Sequence, residues 1–360
     1  MNCSVIDEIF YDALSLLKEM ISIPSHSREE NIVADVVMKF IENRIDSCNI
    51  NRLNNNIWVA NKCFDSSKPT ILLNSHIDTV KPVEGWQRNP YSAEEEDCKI
   101  YGLGSNDAGA SVVALLAAFR ILIEKEQNYN LIFSVSAEEE VSGKNGMECL
   151  IKELPKIDFA IVGEPTNMQP AAAEKGLMVL DCTVKGVSGH AARNEGVNAI
   201  YKAIEVITKI KEFKFEKTSP LLGEVKMTVT GVNAGTQHNV IPDRCTFMVD
   251  VRPNGMYSNV EILEILQKEL TECEIVARST RLNSSSIETS HPFIKRCEML
   301  GKKPFGSPTL SDQALIPYSS VKIGPGDSSR SHTADEFICT NEIREAIELY
   351  IKLLDGLTIS

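Results

Sequence analysis

Apolar residues recur at three- and four-residue intervals over residues 5–21. Ile6, Ile9, Phe10, Ala13, Leu14 and Leu17 share one face, which predicts an amphipathic helix. Ser27 followed by Glu30 has the spacing of a capping box and predicts a second helix carrying Ile32, Val33, Val36, Val37, Phe40 and Ile41. The pattern then turns to short apolar runs. Thr70 to Asn74, Leu131 to Ser136 and Phe159 to Val162 read as buried strands. Between the first two lies Ala108 to Glu124, rich in Ala, Leu and Val, which predicts a buried helix. Strands alternating with helices predict an α/β domain with a largely parallel sheet flanked by helices.

Near Lys175 the pattern changes. Leu177 to Val187 predicts a strand, and Asn198 to Phe213 a helix with Ile200, Ile204, Ile207 and Ile210 in register. Two strands follow, Glu224 to Asn233 and Cys245 to Val251, the second alternating as for one buried face. A helix from Val260 to Leu270 and a strand from Glu274 to Arg278 complete a β-α-β-β-α-β order, that of a ferredoxin-like α+β insert. The chain then returns to the first domain and closes on a helix from about Asn341 to Leu354. The expected division is residues 1–174 with 287–360, and an insert over 175–286.

Composition narrows the function. The 360 residues are 43 % hydrophobic, enough for a substantial core. A formal net charge of −13 argues against nucleic acid or an anionic membrane as partner, since phosphate binding needs clustered Lys and Arg. The 10 cysteines are scattered, with no C-x-x-C pair, as expected of reduced thiols in a reducing compartment. The start M-N-C-S-V-I-D-E-I-F lacks the basic, apolar form of a secretion signal, and no segment is expected to reach the length of a membrane span. The expected location is cytoplasmic.

The chemistry-bearing residues gather at predicted strand ends. His76 and Asp78 follow the first strand, Glu138-Glu139-Glu140 the second and Glu164 the third, where ligands collect in parallel sheets. Asp107 precedes the apolar helix, and His332 follows Gly324-Pro325-Gly326. Each has an ordinary explanation alone: Asp107 as an N-cap, Glu164 as a turn carboxylate, His332 as an exposed loop histidine. Adjacent carboxylates at a buried strand end repel and need a cation. Nitrogen and oxygen donors without a thiolate suit zinc, cobalt or manganese.

The stretches S-H-I-D-T-V, Y-G-L-G-S-N-D, S-A-E-E-E-V-S-G-K-N-G, V-G-E-P-T, G-V-S-G-H-A-A-R, H-N-V-I-P-D, D-V-R-P and R-S-H-T-A-D-E, in this order, resemble the di-zinc aminoacylase and carboxypeptidase metallopeptidases. The resemblance spans nearly the whole chain, and Y-G-L-G with G-E-P-T-x-x-Q-P looks most like the acetylornithine deacetylase branch. It implies two Zn2+ ions, replaceable by Co2+ or Mn2+. His76 and Glu164 would hold one ion, Glu140 and His332 the other, and Asp107 would bridge them, with Asp78 orienting His76. Aligning Gly146 with the family makes Glu139 the general base and Glu140 the ligand. The insert would serve as a dimerisation or lid domain in a homodimer. His190 would reach the partner's site to stabilise the oxyanion, and Asn239 and Arg252 would bind substrate. Where the family often has D-M-K-G, this chain has Asp107-Ala108-Gly109-Ala110, so the lysine is absent.

The implied reaction is hydrolysis of the amide of a small N-acyl amino acid, foremost N-acetyl-L-ornithine to acetate and L-ornithine, a step toward arginine. N-succinyl-ornithine, N-succinyl-diaminopimelate, N-acetyl-citrulline, N-acetyl-lysine and peptide substrates are the rivals. A non-catalytic metal-binding protein is the rival of a different class.

Overall fold

The structure is a computed structural model that describes residues 3–45 and 49–359. The chain folds as two compact units, residues 1–172 with 286–305 and 311–360, and residues 173–285 with 306–310.

The first unit opens with helices α1 (Cys3–Ile21) and α2 (Asn31–Arg44) and a hairpin of β1 (Ile50–Leu53) and β2 (Asn56–Ala60). Then come β3 (Thr70–His76), the small strands β4 (Glu94–Glu96) and β5 (Lys99–Tyr101), α3 (Ala110–Leu122) and β6 (Asn130–Ser136). Next are α4 (Met147–Glu153), β7 (Phe159–Val162) and β8 (Ala171–Glu174). The second unit carries β9 (Met178–Lys185), β10 (Gly189–His190), α5 (Ala199–Glu212), β11 (Lys226–Ala234), β12 (Val240–Ile241), β13 (Arg244–Arg252), α6 (Asn259–Glu269) and β14 (Cys273–Ala277). The chain continues through β15 (Ser285–Ser286), α7 (Pro292–Met299), β16 (Phe305–Ser307), β17 (Ser320–Lys322), β18 (Phe337–Cys339) and α8 (Thr340–Leu354).

The main sheet runs β1-β2-β6-β3-β7-β17, with β8, β15 and β16 continuing beyond β17. Its central neighbours β6-β3, β3-β7 and β7-β17 are parallel. Every residue of β3, β6 and β7 is buried, as expected for parallel strands covered on both faces. Helix α3 is buried at every position but Arg120 and packs against α1, α8, β3 and β6. By length and composition residues Ser105–Leu122 could cross a membrane, contrary to the expectation that no segment would; they are 89 % buried inside the protein, and this is its central core helix.

The second unit is a four-stranded antiparallel sheet in the order β11-β13-β9-β14. With α5 and α6 it has the expected ferredoxin-like order. Met178, Leu180, Cys182 and Val184 of β9 alternate inward with Cys245, Phe247, Val249 and Val251 of β13 onto the buried faces of both helices.

Two local expectations fail. Helix α2 has no capping box: its N-cap is Glu30, without a side-chain cap bond, and Ser27 donates to Asp78 instead, at 2.7 Å. The buried side of α5 is Ala199, Ala203, Val206 and Ile210, while Ile204 is 55 % and Tyr201 69 % exposed. The isoleucine stripe therefore runs out of the core at Ile204, because the small alanines let the helix approach its sheet on the neighbouring face.

Candidate metal centre

The parallel strands deliver their side chains to one end of the sheet. His76 is the last residue of β3, and its register partner on β6 is Ser136. Two residues beyond Ser136 the chain turns through Glu138, which has a left-handed backbone (φ 56°). Glu138 points away from the centre. Its carboxylate accepts from the Asn145 side chain at 3.0 Å, and its own N–H donates to the buried Glu30 at 3.2 Å. Of the triple glutamate, Glu139 and Glu140 remain to face the cluster, on the short turn Glu139–Val141.

Asp78 couples the two strand ends. It is buried, and its carboxylate accepts from Ser27 Oγ and from the backbone N–H groups of Glu139 (3.0 Å) and Glu140 (3.1 Å). His76 Nδ1 lies 2.9 Å from the Asp78 main-chain oxygen and 3.5 Å from its carboxylate. A carbonyl can only accept, so Nδ1 carries the proton of that bond. In the neutral ring this leaves Nε2 with the lone pair that a cation in the cluster would take.

Asp107 lies on no strand or regular helix but on an irregular turn over Ser105–Gly109, and the Asp107–Ala108 peptide is cis. Its two oxygens face different histidines: Oδ1 is 3.2 Å from His76 Nε2, and Oδ2 is 3.8 Å from His332 Nε2. Glu164 lies 3.8 Å from His76 Nε2, and Glu140 lies 3.1 Å from His332 Nε2. His332 has a left-handed backbone (φ 58°), a conformation histidine tolerates better than most residues. Among the described residues, two groups meet the distances of a metal site, His76 with Glu139 and Glu164, and His76 with Asp107 and Glu140; neither includes His332.

The electrostatics report an excess of negative charge. Burial raises Glu139 well above the usual carboxylate range; the His76 charge opposes this and those of Glu164, Asp312 and Glu140 add to it. Burial likewise raises Glu164 to about 8, with Asp107 adding. Burial pulls His76 down, but Asp107, Asp78, Glu164 and Glu139 outweigh it and lift the imidazole well above 6.5. The hydrogen bond to Glu140 lifts His332 to about 9. Carboxylates that raise one another, around imidazoles that hold protons, need added positive charge. The donor set is all nitrogen and oxygen and converges from five strand ends, turns or loops, so it fits divalent cations.

The second unit's candidates are placed otherwise. His190 is exposed on β10, opposite Val240, and its Nδ1 accepts from Ala192 N–H at 3.1 Å. The Asn239 carbonyl accepts from Ala191 N–H at 3.0 Å, so the two candidates sit on adjoining strand ends. Arg252 closes β13 and is held by two bonds to Asp250, at 2.8 and 3.0 Å.

Sequence reasoning missed four residues around the centre. Ser27 supports Asp78. Asp312, fully buried, accepts from Asn74 Nδ2 at 3.1 Å and from Ser136 Oγ, behind the ends of β3 and β6. Asn106 and the buried Glu336 hold the Asp107 turn. Glu336 lay within a quoted motif, four residues after His332, and that proximity was its one available signal.

Residues 72–356 match the model of peptidase family M20/M25/M40. The acetylornithine deacetylase of Proteus mirabilis is 27 % identical over 81 % of this chain and 80 % of its own length. The succinyl-diaminopimelate desuccinylase of Orientia tsutsugamushi is 23 % identical over 90 % of this chain and 84 % of its own. Among solved structures, a dinuclear metal-binding M20 peptidase of Bacillus subtilis superposes with a TM-score of 0.73 at 15 % identity, covering 97 % of this chain and 98 % of its own. An M20 metallo-carboxypeptidase of Sulfolobus solfataricus gives 0.72 at 19 % identity, covering 95 % and 98 %.

Proposed function

The chain belongs to peptidase family M20/M25/M40, and from that premise we propose that this hydrolase cleaves the amide bond of a small N-acyl amino acid, with N-acetyl-L-ornithine the favoured substrate. The observation that carries the two-metal part is Asp107, whose oxygens face two different histidines in a cluster with surplus carboxylates. His76 and Glu164 would hold one zinc, Glu140 and His332 the other, with Asp107 shared; cobalt or manganese would substitute. When bound, the pair supplies Lewis acidity and cancels the negative charge of the cluster.

The chain's own groups do the rest. Glu139 is the carboxylate left over once the ligands are assigned. It takes a proton from the attacking water and returns it to the nitrogen of the leaving amine. Asp78 fixes the His76 ring and, through two backbone N–H groups, the turn that carries Glu139 and Glu140. His190 is assigned to the oxyanion and Asn239 and Arg252 to the substrate. In this reading the chain forms a homodimer in which His190 acts in trans, and the exposed Tyr201 and Ile204 on α5 are apolar surface open to a partner chain. The described cysteines are free thiols, which supports a cytoplasmic location.

A second reading, N-succinyl-diaminopimelate, is favoured by the desuccinylase relative, which aligns with more of this chain than the deacetylase does. The test is amine release by the zinc-loaded protein from N-acetyl-ornithine, N-succinyl-ornithine, N-succinyl-diaminopimelate, N-acetyl-citrulline and simple dipeptides, each with a chelator control. Chelator-sensitive turnover of N-acetyl-ornithine above the others is expected. Preference for a succinyl substrate would move the assignment to the second reading. Turnover of dipeptides alone would overturn both.

A further inference from the structure

Asp107 differs from the other members of the cluster in what holds it. His76 ends β3, whose ladder fixes its backbone, Glu139 and Glu140 lie on the turn after β6 that Asp78 holds through their N–H groups, and Glu164 lies two residues beyond β7. Asp107 sits on an irregular turn. Side chains from elsewhere supply the missing support. Glu336 is 2 % exposed, and its Oε1 accepts the backbone N–H of Asn106 at 2.8 Å and of Asp107 at 3.0 Å. Its main-chain oxygen accepts from Gly102 N–H at 2.9 Å, so one residue holds both the turn and the segment that leads into it. Asn106 returns the contact. Its Oδ1 accepts from Asp327 N–H at 3.0 Å, and its Nδ2 donates to the Asp327 carbonyl at 3.1 Å and to Ser331 Oγ at 3.2 Å. Gly326 leaves room for this side chain: a Cβ there would stand 2.2 Å from Asn106 Oδ1.

We propose that Glu336 and Asn106 form a clamp that fixes the Asp107 carboxylate between His76 and His332, so that Glu336 is a positioning residue of the centre; the proposal rests on the two-metal reading. The bonds run both ways between the turn that carries Asp107 and the loop that carries His332. They set the separation of the ligand shared by both ions from a ligand of one. Two peptide N–H groups meeting one carboxylate oxygen also fix the direction in which the Asp107 side chain leaves the backbone.

The experiment measures Zn2+ content by equilibrium dialysis in a metal buffer at which the wild-type chain carries two ions. Each apo variant is melted alongside. Glu336→Ala, which leaves two backbone N–H groups without an acceptor, is expected to fold with an apo melting temperature lowered by a few degrees and to carry one ion or none, its affinity lowered roughly 10- to 100-fold. Glu336→Gln, whose amide oxygen still accepts, is expected to recover two. Should Glu336→Ala fail to fold, Asn106→Ala removes the other half of the clamp and is expected to show the same loss. A folded Glu336→Ala or Asn106→Ala that carries two ions at wild-type affinity overturns the clamp alone. A wild-type chain that takes up fewer than two ions at any concentration overturns the two-metal reading and the clamp with it.

Discussion

His76 is 2 % exposed, with Nδ1 against the Asp78 carbonyl and Nε2 against Asp107, whereas His190 stands exposed on a two-residue strand with only Nδ1 engaged. The same contrast runs through the two units. In the first, the candidate side chains lean on one another and on buried neighbours, which raises the proton affinities of His76, Glu139, Glu164 and His332. In the second, Asn239 is exposed and Arg252 is held by a carboxylate of its own strand. The difference separates two kinds of candidate residue. One kind is held in place by its own fold, at an electrostatic cost that a bound cation would offset. The other carries chemistry that its own unit does not organise, and its role depends on what meets it.

The sharpest test of this division is Glu139→Gln. If the first unit alone holds the reaction's base, the amide, which cannot take a proton from water, should lower kcat by roughly 10^3-fold or more, with both metal ions retained. Steady-state turnover with metal analysis of the same sample checks it. Near-wild-type turnover would remove Glu139 from its assignment and leave the cluster without a base.

His190→Ala probes the other side. An oxyanion donor contributes to turnover and not to metal binding. Its loss should cost kcat roughly 10^2-fold while metal content and melting temperature stay at wild-type values. A companion mixture of His190→Ala with Glu139→Gln chains sharpens the point. If His190 works across a dimer, mixed dimers would regain one intact site, and the mixture would recover activity that neither variant has alone. Absence of recovery in mixed dimers shown to form would confine His190 to its own chain or remove it from the site.

The two regions also differ in how far the sequence predicts them. Parallel strands and the β-α-β-β-α-β insert were legible because periodicity is a local property that survives into the fold. That His76, Asp107, Glu139, Glu140, Glu164 and His332 gather in one place was legible because each stands at or near a predicted strand end or turn, while the role expected of each came only from the family resemblance. What supports them was not. Asp312 meets Asn74 across 238 positions and Glu336 meets Asn106 across 230, and no local pattern encodes such pairs. Ser27 was misread because its spacing to Glu30 satisfies a cap rule, while the geometry gives its hydroxyl to Asp78. The outward turn of Ile204 was hidden for a related reason. A helix with apolar residues on two faces does not say which face its own sheet will take.

Asp312 offers the smallest expected effect and a direct view of the electrostatic cost in the first unit. Burial raises its carboxyl from 3.8 to about 6, against the pull of the Ser136 bond and the His76 charge, with Asp78 adding to the rise. A folded-state pKa above the unfolded value means that the unfolded chain gives up this proton first. The group's contribution to stability is then full below about pH 3.8 and is lost as pH rises through about 6. Asparagine in its place cannot ionise, yet its oxygen can still accept from Ser136 and Asn74. In metal-free protein, the melting temperature of the wild type minus that of Asp312→Asn should therefore fall between pH 4 and pH 7, by a few degrees for a chain of this size. Taking the difference cancels the carboxylates the two proteins share. A difference that stays level across that range would mean that the buried Asp312 ionises as it does in the unfolded chain, and that the first unit bears no such cost behind its metal centre.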